Sequence, residues 1–125
     1  MKLFIYLQVK PINQIAFSSA LALGLKKEIP ELVLFEADQQ SDNFQVKIGK
    51  DLIKEADSIF TLIETLQEEN ISQLSQLFEE LRKFNRNLLI LHKGENKAIE
   101  TMIKITGAQT LAEESIKEIK AFYHS

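Results

Sequence analysis

Cysteine is absent from this chain. Its absence excludes disulfide bonds, thiolate metal sites and a cysteine nucleophile. Glycine occurs only four times, and each glycine stands alone. Phosphate-binding loops need closely spaced glycines so that several backbone N–H groups can approach the anion. The Walker and dinucleotide-binding fingerprints are therefore excluded.

Long apolar runs are also missing. No stretch approaches the roughly 18 apolar residues of a membrane-spanning helix, and the run "LFIYL" near the start is shorter than the core of a secretory signal. The formal net charge is -3, and basic residues stand among acidic neighbours. Nucleic-acid surfaces need clustered lysine and arginine instead. We therefore expect a soluble, cytoplasmic protein that binds neither membranes nor nucleic acid.

What the chain contains is a regular alternation of apolar runs and amphipathic segments. The apolar runs are typical of buried strands; they are Lys2 to Val9, Leu32 to Ala37, Ser58 to Glu64 and Asn87 to His92. The stretch "AQTL" fits either of two predictions. It can form a short fifth strand, or it can lead into a helix, because Thr110 and Glu113 also fit a helix capping box.

Helical spacing of apolar residues predicts helices between these strands. The first runs from Asn13 to Lys27, and the third is capped by Asn70. Phe44, Val46 and Ile48 alternate with polar residues, whereas Ile48, Leu52 and Ala56 stand at helical spacing; we expect an extended entry up to Gly49 and a helix after it. The other predicted helices are Lys50 to Ala56, Lys97 to Ile105 with a stop at Gly107, and a last helix with Ile116, Ile119 and Phe122 facing inward.

Strands alternating with helices indicate a parallel sheet covered on both faces. For 125 residues we expect a single flavodoxin-like domain. It would be a three-layer α/β/α fold with four or five strands in the order 2-1-3-4-5. Ligands of such sheets bind outside the carboxyl ends of the strands, at the switch point between the first and third strands.

Polar residues at the predicted strand ends are the candidate site residues. Glu64 ends the third strand and is a candidate nucleophile or base. Lys10 and Asn13 follow the first strand and could hold an anion at a helix start. The alternative for the turn "LQVKPINQIAF" is a plain strand-to-helix connection, because it lacks glycine and Pro11 removes an N–H donor.

Three further residues extend this candidate site. Glu36 and Asp38 end the second strand and could pair as carboxylates. His92 ends the fourth strand and could be an acid–base group or a phosphate ligand. The chain has no H-x-x-H or H-E-x-x-H spacing, so we expect no metal site, and no motif indicates a cofactor.

One stretch resembles a known family. The segment "IGKDLIKEADSIFTLIE" is similar to part of the TIR and nucleoside 2-deoxyribosyltransferase group, with a helix and then "AD" before a buried third strand. The resemblance implies a flavodoxin-like fold and, for the enzymes of the group, cleavage of N-glycosidic bonds. Their catalytic glutamate lies on the helix after that strand, where this chain carries Glu79 and Glu80, several residues later than the family pattern.

Two hypotheses about function follow. The favoured one is a non-enzymatic interaction or regulatory module, with a protein partner or a second copy of the chain. It predicts an exposed apolar face, such as the last helix with Phe122 and Tyr123. The alternative is a binder of nucleoside- or nucleotide-like molecules, or an enzyme that cleaves their N-glycosidic bond. It predicts a cleft with Glu64 partly buried and its pKa raised.

Overall fold

Five parallel strands form one sheet in the order β2-β1-β3-β4-β5. The computed structural model describes residues 1–15, 19–66, 70–84 and 86–124. The order confirms the predicted 2-1-3-4-5 arrangement and shows that the fifth strand exists. The strands are β1 (Lys2–Val9), β2 (Val33–Asp38), β3 (Ser58–Thr65), β4 (Asn87–Lys93) and β5 (Gln109–Leu111).

Helices cover both faces of this sheet, which confirms the three-layer flavodoxin-like fold. The α-helices are α1 (Ala20–Glu28), α2 (Asn43–Glu55), α3 (Ser75–Phe84), α4 (Lys97–Thr106) and α5 (Ile116–His124). One core lies between the sheet and α2, α3 and α4, and the other lies between the sheet and α1 and α5. None of the helices in the described ranges is long and apolar enough to cross a bilayer.

Local sequence explains where several helices begin and end. Ser19, Asp42 and Asn96 each accept a hydrogen bond from a backbone N–H in the first turn of the helix that follows. Gly107 ends α4 with a φ of 68°, as predicted for a left-handed stop. Pro30 follows the end of α1 by two residues and prevents the helix from continuing.

The extended segment predicted for Phe44 to Ile48 is wrong, because α2 already begins at Asn43. The Asp42 side chain caps the helix by accepting from the Gln45 N–H. Val46 and Ile53 form the buried face. Phe44, which suggested the strand alternation, is 71% exposed. The alternation that indicated a half-buried strand therefore depended on an aromatic residue that is exposed.

Two predicted helices begin later than expected. In place of a helix from Asn13, the chain forms a 3-10 turn at Ile12–Gln14, and α1 starts at Ala20. Phe17, which falls within the predicted helix, lies outside the described residues. The helix expected from Asn70 is preceded by a 3-10 turn at Ser72–Leu74. The apolar residues predicted to line its inner face are buried, from Ile71 to Phe84.

The inner face of α5 differs from the prediction. Ile119 is buried as expected, but Ile116 is 44% exposed. Tyr123, predicted to be exposed, is buried because its hydroxyl reaches the sheet. That hydroxyl donates to the Leu3 carbonyl at 2.6 Å and accepts from the Phe60 N–H at 3.3 Å. Ile119 and Tyr123, an i, i+4 pair, therefore face the core. Phe122, predicted to face inward, is partly buried and packs against the margin of that core.

Candidate functional site

The carboxyl ends of four strands bring polar residues side by side. The strand register places Gln8 between Asp38 and Glu64, and it places Glu64 beside Lys93. We call these four residues the polar row. Side chains alternate along a strand, and Tyr6, Leu62 and Leu91, which stand two positions before Gln8, Glu64 and Lys93, belong to the core under α1 and α5. The polar row therefore lies on the α1 and α5 face, at the predicted switch point.

Glu64 is the centre of a small hydrogen-bonded group. Its Oε1 accepts from the Lys10 Nζ at 2.6 Å and from the Tyr6 hydroxyl at 2.5 Å. The Lys10 Nζ also donates to the Gln8 Oε1 at 3.3 Å. The Lys10 and Glu64 side chains are 14% and 23% exposed, so solvent only partly screens their attraction. The other oxygen, Oε2, accepts no hydrogen bond from the described residues.

These contacts keep Glu64 ionised. Burial on its own would raise the pKa of Glu64, but the hydrogen bonds from Lys10 and Tyr6, together with the charges of Lys10 and Lys93, lower it more. The net pKa lies below the ordinary glutamate value, so the raised pKa expected from the sequence is wrong. The expected partial burial of Glu64 is confirmed. Burial, and then the hydrogen bond to Glu64, raise the pKa of Tyr6, so its hydroxyl stays a donor.

The backbone of Lys10 is fixed by a glutamine side chain. The Lys10 N–H donates to the Gln39 Oε1 at 3.3 Å, and the Gln39 Nε2 donates back to the Lys10 carbonyl. The Gln39 side-chain amide therefore pairs with the Lys10 backbone much as a neighbouring strand would, just beyond the last paired residues of β1 and β2. It holds Lys10 where its ammonium can reach Glu64.

The two acidic residues of β2 lie on the same face but have different roles. Asp38 closes a turn, since its Oδ1 accepts from the Gln40 N–H at 2.7 Å. Its own N–H donates to the Ser41 hydroxyl at 3.0 Å. Glu36 is half-buried beside Tyr6, and burial raises the pKa of Glu36. The predicted pairing of Glu36 with Asp38 is not among the contacts of the described residues.

His92 and Asn13 lie apart from this group. His92 occupies the opposite face of the sheet, where its Nε2 lies 2.9 Å from the Thr65 Oγ1. Burial lowers the pKa of His92, against a smaller opposing effect of Glu100. Asn13 is exposed in the 3-10 turn after β1. The structure therefore joins Lys10 and Glu64 and separates them from the other predicted acid–base residue.

Sequence reasoning missed Tyr6 and Gln39. Tyr6 precedes Gln8 by two positions, so strand alternation alone places both on one face. That signal was hidden because a tyrosine within an apolar run usually packs in the core. The role of Gln39 could not be predicted from the sequence, because it depends on how β1 and β2 lie beside each other.

The site offers one ionised carboxylate whose Oε1 accepts two hydrogen bonds and whose Oε2 accepts none from the described residues. No group of three or more metal-ligating side chains occurs among the described residues. Such a carboxylate can accept hydrogen bonds from a ligand or stabilise positive charge. It is a poor proton donor at neutral pH, because its pKa is low.

Comparison of the chain with protein-family models, with curated proteins and with solved structures finds no match in any of the three. Of the features that the resemblance to the TIR and deoxyribosyltransferase group implied, the structure shows the α/β fold.

Proposed function

We propose that the chain binds a small hydroxyl-bearing molecule of the nucleoside type at the carboxyl ends of β1 and β3. The observation that carries this proposal is the orientation of Glu64. Tyr6 and Lys10 hold its Oε1, while Oε2 accepts nothing from the described residues. A preorganised, partly desolvated anion at a switch point is a suitable acceptor for sugar hydroxyls.

The charges of this edge favour a nucleoside over a nucleotide. Lys10 is paired with Glu64 at 2.6 Å. Lys93, the other lysine of the edge, is paired with Glu114 at 2.5 Å. A phosphate would have to compete with these carboxylates for each ammonium group. An uncharged sugar makes no such demand, because it needs only the open oxygen of Glu64.

The enzymatic form of this proposal is cleavage of an N-glycosidic bond. An ionised carboxylate beside the sugar can attack its anomeric carbon as the C–N bond breaks and the base leaves with a proton from water; a second water then hydrolyses the glycosyl ester and frees the carboxylate. Alternatively, the carboxylate stabilises the positive charge that develops on the sugar while water attacks the anomeric carbon and the base leaves. The low pKa of Glu64 suits both roles and excludes that of general acid at neutral pH. Tyr6 would position the carboxylate through its hydroxyl.

The test measures nucleoside binding by the wild-type chain and by Glu64→Gln. Isothermal calorimetry and thermal shift are run with purine and pyrimidine nucleosides, their 2′-deoxy forms and the matching monophosphates. We expect a nucleoside to raise the melting temperature of the wild type. Monophosphates should bind more weakly, and Glu64→Gln should lose most of the shift. Release of free base, followed by chromatography, tests for cleavage.

The matched control is Asp51→Asn, which also removes one carboxylate charge but lies on the exposed side of α2. It should bind nucleosides like the wild type. The proposal fails if no nucleoside binds to the wild type at millimolar concentration. It also fails if Glu64→Gln binds as tightly as the wild type.

The interaction module remains a second candidate, now favoured by a different surface. Tyr123 is buried and cannot contribute to an exposed face. Phe122 instead lines a groove between α5 and β5, at the open edge of the sheet. The lining of this groove includes neither Glu64 nor the residues that hold it, so the two candidates can be tested separately.

A further inference from the structure

β5 leaves one side of the sheet open. It lies at the end of the strand order and pairs with β4 alone among the described strands. Gln109 and Thr110 are exposed. Backbone N–H and C=O groups on the outer side of an edge strand can pair with another strand. β5 is short, so such pairing needs further contacts beside the strand.

Grooves on both faces of β5 can supply those contacts. On the α5 side a groove of about 550 Å³ is lined by Leu89, Leu111, Ala121 and Phe122, among others. On the α4 side a groove of about 320 Å³ includes Ile90 and Ile103 in its wall. Both grooves are partly apolar, and Leu111 of β5 belongs to both. Covering them would remove apolar surface from water on both sides of the sheet.

The charges beside β5 are arranged to match a second copy of the same surface. Glu100 and Lys104 both line the α4-side groove, one helical turn apart. Both residues are exposed, and neither forms a salt bridge within the described part of the chain. If two α4 helices meet in opposite directions, Glu100 of each faces Lys104 of the other. A surface with this pattern is complementary to itself.

We propose that the chain forms a two-fold symmetric homodimer by antiparallel pairing of β5 with β5 of a second copy. The symmetry axis runs perpendicular to the sheet, so one continuous sheet passes through both copies. α4 then meets α4, and α5 meets α5. This arrangement covers the Phe122 groove and forms two Glu100–Lys104 ion pairs. The proposal gives the interaction module its partner and is independent of the nucleoside site.

Charge exchange across the dimer provides the test. Sedimentation equilibrium is measured over a range of protein concentrations for wild type, Glu100→Lys, Lys104→Glu and the double exchange. We expect a wild-type dimer. Each single exchange places like charges opposite each other twice per dimer and should raise the dissociation constant at least about tenfold. The double exchange restores opposite charges and should recover most of the affinity.

Glu55→Lys and Lys27→Glu are the matched controls, because they make the same charge changes at exposed sites on α2 and α1. They should dimerise like the wild type, and circular dichroism checks that every variant is folded. A wild type that stays monomeric at millimolar concentration overturns the proposal. So does a dimer that the single exchanges leave unchanged, since the two copies would then meet elsewhere or a different partner would use this edge.

Discussion

Glu64 shows at the scale of a single residue how a strand end acquires a fixed charge. Its pKa is lower in the folded chain than the ordinary glutamate value of about 4.3. The ionised carboxylate therefore stabilises the fold at pH values above the ordinary value. That contribution is lost as the pH falls through the lower pKa of the folded state.

Substitution Glu64→Gln should accordingly lower the free energy of unfolding at neutral pH. A glutamine side chain cannot carry the charge that Lys10 and Tyr6 stabilise, and Lys10 keeps a partly buried ammonium without its anion. We expect a loss of about 1–3 kcal/mol at pH 7. The difference from wild type should shrink as the pH falls below the ordinary glutamate value and through the lower pKa of folded Glu64, where the wild-type carboxylate becomes protonated. Urea unfolding followed at several pH values measures it.

Asp51→Asn is again a useful comparison, because the Lys47–Asp51 pair is well exposed. Its effect should stay below about 0.5 kcal/mol at every pH. An equal loss for both variants, or a Glu64→Gln effect that does not change with pH, would contradict the assigned role of the Lys10–Glu64 pair.

The positions of Lys10 and Glu64 could be predicted from the sequence, but their partners could not. Glu64 lies near the end of β3 and Lys10 directly follows β1, and these two strands neighbour each other at the switch point, so topology alone places the two residues together. Burial would raise the pKa of Glu64, and the hydrogen bonds from Lys10 and from Tyr6, whose hydroxyl donates across the strand pair, act against it. A tyrosine within an apolar run does not by itself indicate such a hydrogen bond. His92 was placed at the correct edge, but strand alternation puts it on the other face.

At the scale of elements, buried strands were easier to predict than helix ends. β1 was predicted with its observed bounds because continuous apolar residues occur where both faces of a strand are covered. The start of α2 was not predicted, because the sequence pattern treated Phe44 as a buried residue and Phe44 is exposed. The inner face of α5 was missed because the hydroxyl of Tyr123 finds backbone partners inside the sheet. Neither the exposure of Phe44 nor the backbone partners of the Tyr123 hydroxyl follow from the spacing of apolar residues.

A buried threonine hydroxyl in the central strand β3 affects the stability of the fold. Thr61 is 0% exposed, and its hydroxyl has no hydrogen-bond partner within the described part of the chain. Burying an unpaired hydroxyl costs free energy. Thr61→Val keeps the β-branched shape and removes the hydroxyl. It should raise the free energy of unfolding by about 1 kcal/mol, as measured by chemical denaturation.

Thr65, at the end of the same strand, is the matched control. It is 2% exposed, and its hydroxyl lies 2.9 Å from the His92 Nε2. Thr65→Val should therefore lower the free energy of unfolding by about 1 kcal/mol. If both substitutions shift stability in the same direction, hydrogen-bond satisfaction does not govern these two positions.

At the scale of the whole molecule, the sheet has a stable centre and two edges of different length. β1 and β3 are buried on both faces and pair with strands on both sides. Their amide hydrogens should exchange with solvent most slowly. β5 comprises three residues at the open edge. In an isolated copy its outward amide groups should exchange quickly, because they face solvent at the end of the strand order.

The proposed dimer changes this order in a measurable way. Pairing β5 with a second copy should slow exchange of its amides, and the slowing should increase with protein concentration because association follows mass action. Hydrogen exchange of β5 is measured at low and high concentration in wild type and in Glu100→Lys, with α1 as the internal reference. We expect concentration-dependent protection of β5 in the wild type only. If the protection of β5 does not change with protein concentration, it arises within a single copy of the chain and contradicts the dimer. Equal protection in wild type and Glu100→Lys would contradict the pairing of Glu100 with Lys104.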